Sequence, residues 1–424
     1  MRTQRVRAEL AAFDLAEYVA EIRRCGRRAL EPSLRAHAAV LRPFLARAVR
    51  EGLSPELFKL VRFAQSVVDG EGTLTEMATK RYVSYANLRV LNWVLGTNRH
   101  QPTDAIVRRC WEAVWSKLGT WRAYEERTLA GSESWNQADV DVHAVERRIE
   151  QLATLLTRPD AAAVPSAGRD APPREWSAYV SDPTRTLALE HLTVLPQTVQ
   201  HEEVAFLHTI HISESCFWAM LLQVQQAIEC LKRKRISAAA RHLERAVPFS
   251  DVVEHALRAM QTMPPESFLG FGGLTGTSSG IQSRSFHLLQ IFLLGVDGVR
   301  ADALRDTPEL SDLVFYADPR FVSLRRALDD LDPHGAAAGE VFELAHRLDA
   351  SAYRWRARHK GIADHYLPES VIGSVAGRRY LERQFRHRLF HPSGTVVDEP
   401  PWTIVGDIGG PGRRRVRPIV SWEN

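Results

Sequence analysis

The chain has 424 residues, of which 45% are hydrophobic and 25% charged, and carries a formal charge of +4. That length can bury a large core and hold one big domain or two. So small a charge, carried mostly by arginine, excludes nucleic acid as the main partner and reads as a solvated surface. No apolar run is long enough for a membrane span, and residues 1–25 lack the apolar core of a signal peptide. Cys25, Cys110, Cys216 and Cys230 lie far apart with no CxxC pair, which argues against structural zinc and a disulfide framework, and for a reducing cytoplasm.

Helical periodicity dominates. Ser54 and Pro55 form an N-cap and N1 pair opening a helix whose apolar face runs through Phe58, Val61 and residues 64–68. Residues 82–95 and 105–118 read the same way, the second with Trp111 and Trp115 one turn apart. With Trp93 and Trp121 these tryptophans suit core packing or a subunit interface. Residues 159–174, rich in Pro, Ala and Gly, read as a linker. A second helical region follows and stops after His391. No convincing strand precedes residue 390, and the tail, with its Arg413-Arg414-Arg415 run, reads as solvated chain. The expected organisation is an all-α protein with a helical region at 1–157, a linker at 158–177, a second domain at 178–392 and an irregular tail at 393–424.

Three segments carry chemistry. A long helix over residues 200–232 opens with His201, Glu202 and Glu203, where carboxylates favour the helix dipole. Phe206, Ile210, Glu214 and Phe217 share one face of it. His208 and His211 lie one turn apart but lack further ligands at sensible spacing for a metal. The Gly- and Ser-rich residues 270–280 match neither a phosphate-binding loop nor a dinucleotide fingerprint. They form a hydroxyl-rich turn, entering an apolar helix at residues 286–296, that lets backbone approach a flat ligand closely. The third segment is Trp355-Arg356-Ala357-Arg358-His359, led into by Val341, Leu344, Leu348 and Tyr353. A neutral helical imidazole is a common axial ligand of haem iron, and a half-buried surface His among arginines is the plainer reading.

Four blocks occur in order here: Phe315-Tyr316-Ala317-Asp318-Pro319-Arg320-Phe321, Phe342-Glu343-Leu344, Trp355-Arg356-Ala357-Arg358-His359 and Val371-Ile372-Gly373-Ser374. Upstream stands Ser279-Gly280-Ile281-Gln282-Ser283, leading to Phe286. In these blocks residues 184–391 resemble the tryptophan 2,3-dioxygenase and indoleamine 2,3-dioxygenase superfamily. The resemblance implies a helical-bundle domain with haem b on His359, and with Trp355 and Gly280 beside the cofactor. It implies dioxygen and an indole-type substrate as partners, and a homo-oligomer. Ser278, Ser279 and Phe206 would face the substrate.

The same register puts Ile210 where tryptophan dioxygenases carry a distal His, with His211 one residue on. One residue turns a helix by about 100°, which points His211 away from the iron. The resemblance assigns the position after Phe286 to an Arg that holds the substrate carboxylate; here it is His287, which lacks the bidentate fork. The family's loop over the substrate ammonium is missing, because residues 371–377 run straight into Arg378. These departures imply an indole- or tryptophan-derived substrate with an altered amino-acid end, oxidised in specialised biosynthesis. The readings of other classes are a non-catalytic haem-binding or sensor protein of the same fold, and haem linked covalently through a cysteine such as Cys216.

Overall fold

Apolar residues spaced by three and four along this chain become the buried sides of helices. The structure is a computed structural model describing residues 2–68, 81–97, 101–134, 136–158, 175–179, 185–272, 282–332, 335–366 and 389–390. Among the described residues the β pairing is one isolated bridge, between Ala138 and Gln200. The protein is all-α.

The helices are α1 (Arg2–Ala12), α2 (Leu15–Cys25), α3 (Pro32–Ala48), α4 (Pro55–Val68), α5 (Arg81–Tyr85) and α6 (Leu88–Leu95). They continue with α7 (Thr103–Leu129), α8 (Val142–Leu156), α9 (Arg185–Leu192), α10 (His201–Lys232), α11 (Ile236–Met260) and α12 (Pro265–Gly272). The last are α13 (Arg284–Leu294), α14 (Gly298–Arg305), α15 (Leu324–Asp329) and α16 (Ala336–Tyr366), with a 3-10 helix at Pro308–Ala317. No described helix is long and apolar enough to cross a membrane.

Two units divide the chain: Met1–Cys216 with His255–Gly280, and Phe217–Glu254 with Ile281–Asn424. The division falls inside α10 and α11. Residues 159–174 of the expected linker, and the expected tail at 393–424, lie outside the described residues.

In the first unit α7 packs on α8 and α9, and α3 packs on α4. The α4 helix begins as its sequence predicts, with Ser54 Oγ accepting from the Leu57 amide. Its buried face holds Val61, Ala64, Val67 and Val68 as expected, but Leu57 takes the place expected of Phe58. Leu57, Val61, Phe63, Ala64, Val67 and Val68 are buried, Phe63 against Trp93 of α6 at 4.6 Å, while Phe58 is 42% exposed because its side chain leaves the helix about 100° round from Leu57. Trp93, Trp115 and Trp121 are buried core side chains, and Trp111 stacks on Trp115 at 5.5 Å.

The apolar period over residues 82–95 is broken in two. Asn87 adopts φ +48°, ending α5, and its side-chain amide is held by the Leu192 carbonyl. Asn tolerates this left-handed conformation better than most residues.

In the second unit α13 packs on α15 and on the 3-10 helix. Ser283, read as part of a signature, caps α13: its Oγ accepts from the Phe286 amide at 3.2 Å. The Phe315–Phe321 block is the end of the 3-10 helix and the turn that follows it. Asp318 Oδ1 accepts from the Arg320 amide at 2.8 Å, and Tyr316, Phe321 and Phe292 cluster with ring centroids 5.0–5.5 Å apart.

Candidate active site

In the first unit the start of α10 is anchored by a buried carboxylate. Glu203 accepts from the amides of Gln197 and Thr198, each at 2.8 Å, and from the Thr198 hydroxyl at 2.6 Å. The segment it grips is held from the other side too. The amides of Arg27 and Arg28 donate to the carbonyls of Pro196 and Gln197, and Asn136 donates to Thr198. One turn after Glu203, half-buried Phe206 meets Phe271 at 5.6 Å, Phe268 at 5.8 Å and Tyr85 at 6.3 Å. Phe268 and Phe271 are themselves 5.3 Å apart on α12. Ile210, 8% exposed, continues the face of Phe206 one turn along. The result is an aromatic surface suited to a flat apolar ligand.

Sequence reasoning overlooked Phe268 and Phe271. Their signal was an aromatic pair three apart, directly before the Gly-rich run. Ser278, Ser279 and Gly280 lie outside the described residues.

The polar side chains of α10 in this unit are engaged elsewhere. His211 is fully buried, and its Nε2–H donates to the Ala86 carbonyl at 2.6 Å. Burial, then the charge of Lys117, lower its pKa to about 3. His208 stacks on Trp121 at 6.0 Å and is likewise held neutral by burial. Glu214 accepts from the Tyr82 hydroxyl at 3.0 Å. Among the described residues no three His, Cys, Asp or Glu side chains form a group that could hold a metal ion. Cys216 is buried, and burial raises its thiol pKa well above the usual value, which makes it unreactive.

His201 and Glu202 belong to a buried ionic network. Arg148 donates to Glu125 at 2.7 Å, to Glu202 at 2.5 Å and to the Thr262 hydroxyl at 3.0 Å. His201 Nε2 lies 2.8 Å from Glu125 Oε2. The Glu125 pKa falls to about 2: burial opposes ionisation, and Arg148 and His201 outweigh it.

In the second unit Trp355 and His359 stand one turn apart on α16. Trp355 packs on Phe217 at 5.2 Å and on Phe286 at 5.4 Å, and those two rings are 5.5 Å apart. Phe217 is 7% and Phe286 8% exposed, so this cluster excludes water. His359 is half-buried and has no side-chain hydrogen-bond partner among the described residues. Even so, desolvation alone lowers its pKa to about 4. The imidazole is therefore neutral at pH 7, and no described group takes up its lone pair. Trp355 Nε1 is buried without a partner as well. Arg356 turns inward, to the Ala352 carbonyl at 3.0 Å and Gln290 Oε1 at 3.3 Å. His287 is buried on α13 beside Phe286, at 5.5 Å.

Taken separately, the first unit offers an aromatic surface on α10 and α12, and the second a desolvated histidine with no hydrogen-bond partner among the described residues. Compared with known proteins, the chain is 25% identical over 246 residues to the tryptophan 2,3-dioxygenase of Caulobacter vibrioides, covering 49% of this chain and 93% of that protein. The likeness is distant and partial, and it reaches the superfamily at most. No family model matches, and no solved structure matches.

Proposed function

We propose that this protein is a haem-dependent oxygenase that uses dioxygen on an indole-type aromatic substrate, with His359 as the axial ligand of haem b. The observation that carries the reading is the His359 imidazole. It stands in the segment that resembles the family's proximal-ligand motif, has no hydrogen-bond partner among the described residues and is kept neutral by desolvation. An iron ligand needs that lone pair free. The orphaned Trp355 Nε1 beside it is a second group whose partner is not among the described residues, so the residues present fit the cofactor.

When bound, the haem supplies the redox chemistry with dioxygen. The chain's own residues do the rest. Phe217, Phe286 and Trp355 keep water from the His359 side and hold the ring's helix in place. Phe206, with Phe268 and Phe271, offers faces against which an indole stacks, and Ile210 keeps that surface apolar. His211 acts by holding α10 to Ala86 and relays no proton to the substrate in this reading. With His287 in place of an Arg, the substrate is an indole or tryptophan derivative whose amino-acid end is altered.

The test is the absorption spectrum of the ferric and ferrous haem-loaded protein, with His359→Ala beside it. Loss or displacement of the Soret band in the variant is expected; an unchanged band overturns the ligand assignment. Incubation with L-tryptophan and dioxygen tests the substrate, and rapid N-formylkynurenine formation at ordinary affinity overturns the altered-substrate reading.

A further inference from the structure

The face of α16 adjoining Trp355 and His359 carries a polar clamp that the proposed reaction does not use. Ser351, Arg354 and Arg358, at positions i, i+3 and i+7, form one stripe along this helix and meet two carboxylates of α11. Glu254 Oε2 accepts from Arg354 Nε at 2.9 Å, and Glu254 Oε1 lies 3.5 Å from Arg358 Nη2. Asp251 Oδ1 accepts from the Ser351 hydroxyl at 2.8 Å and from Arg354 Nη2 at 3.3 Å. Glu254 is the buried member, its side chain 6% exposed, so its carboxylate end is withdrawn from water, while Arg354 and Arg358 remain partly solvated; the bonds are charge-assisted and directional.

Neighbouring stripes of a helix differ in azimuth by about 100° per residue. Arg358 directly precedes His359, and Arg354 directly precedes Trp355. Fixing the arginines therefore fixes the direction in which Trp355 and His359 leave the helix. The aromatic packing of Trp355 leaves small rotations of α16 cheap, because ring contacts are broad in angle. Charged hydrogen bonds to a buried carboxylate do not.

We propose that Glu254, supported by Asp251, is the positioning residue for His359: by holding Arg354 and Arg358 it sets the rotation of α16 that aims the imidazole. The inference rests on His359 being the haem ligand. It corresponds to the outer-shell control by which groups behind a metal-bound histidine govern how firmly the metal is held.

The experiment compares the haem-loaded full-length protein with its Glu254→Ala, Glu254→Gln and His359→Ala variants. Two quantities are read: the iron–histidine stretching band of the ferrous form by resonance Raman, and the rate at which haem passes to an excess of a haem-scavenging apoprotein. Glu254→Ala is expected to keep its helical circular dichroism, to shift or broaden the band, and to release haem roughly 10-fold faster or more. Glu254→Gln, which keeps an acceptor for Arg354, is expected to fall between it and the wild type. If Glu254→Ala does not fold, Glu254→Gln and Arg358→Gln are read by the same two measures. A lowered melting temperature with an unmoved band and an unchanged release rate overturns the inference. Failure of the wild type to take up haem, or a His359→Ala spectrum equal to the wild type's, overturns the ligand assignment and this inference with it. A His359-dependent band that no Glu254 variant moves overturns this inference alone.

Discussion

The imidazole of His211 is tied by its Nε2–H to the carbonyl oxygen of Ala86, 2.6 Å away. That carbonyl is available because the chain leaves its helical path at Asn87, whose φ is +48°. A carbonyl only accepts, so the bond places the ring proton on Nε2, and Nδ1 is left buried without a partner. His211 thus joins the break between α5 and α6 to the middle of α10.

Replacing it tests whether the ring does more than this. His211→Ala removes a buried side chain and strands the Ala86 carbonyl, at a cost of about 2–4 kcal/mol in unfolding free energy. Chemical denaturation measures that loss. The haem-loaded variant is expected to keep its spectrum and the shape of its pH–rate profile. A changed profile with unchanged stability would restore His211 as a proton carrier.

Stability should depend on pH in two windows. Burial depresses the pKa of His191 to about 4 and of His211 to about 3, and holds that of His208 well below its ordinary value. Between the ordinary value of 6.5 and those folded values the unfolded chain binds more protons, so stability falls as the solution is acidified. Lys117, fully buried with its ammonium on the Leu189 carbonyl, is lowered from 10.5 to about 7 by the same cause. Here too the unfolded chain holds the extra proton, so stability rises from about pH 7 towards 10.5. Denaturation midpoints across pH read both windows. Lys117→Met should flatten the alkaline rise and leave the acid loss in place; an alkaline rise of unchanged size would show that Lys117 is not its source.

The difference between what was legible and what was not follows from how far apart the partners lie. The long helices α7, α10 and α16 are readable because their apolar period runs over many turns. The pairing of Trp355 with His359 is readable because the two are one turn apart on one helix. The break at Asn87 is not, since it depends on Leu192, 105 positions away. The face of α4 was misread by one residue because Leu57 and Phe58 are both apolar, and only the packing partner decides between them. The clamp on Arg354 escapes notice because α11 lies about a hundred residues upstream, as does the aromatic triad, which needs α12 brought to α10.

The network around Arg148 is another long-range device. Its guanidinium is fully buried between Glu125 and Glu202, 23 and 54 positions away. Arg148→Leu strips two buried carboxylates of the guanidinium they share, leaving Glu125 with His201 alone, and is expected to cost about 3–5 kcal/mol. Removing the charges together, with Glu125→Gln and Glu202→Gln in the same chain, should recover much of that loss. Equal destabilisation in the single and triple variants would mean that lost packing, not stranded charge, is the cause.

Gly26 controls the approach to α10 from a distance. It ends α2 with φ +78°, and a Cβ placed there would stand 2.5 Å from the Gln197 carbonyl oxygen. That carbonyl belongs to the segment whose amides Glu203 grips, and Phe206 follows one turn later. The obstacle is backbone, pinned by Arg27 and Arg28 on one side and by Glu203 on the other, so it cannot swing aside as a side chain would. Gly26→Ala therefore combines left-handed strain with a steric clash, for a cost of about 2–5 kcal/mol. Because relief of the clash requires the 196–200 segment to move, the variant should also loosen the aromatic contacts of Phe206. Amide exchange over residues 197–206 measures that directly. A stability loss with unchanged protection there would confine the effect of Gly26 to the end of α2.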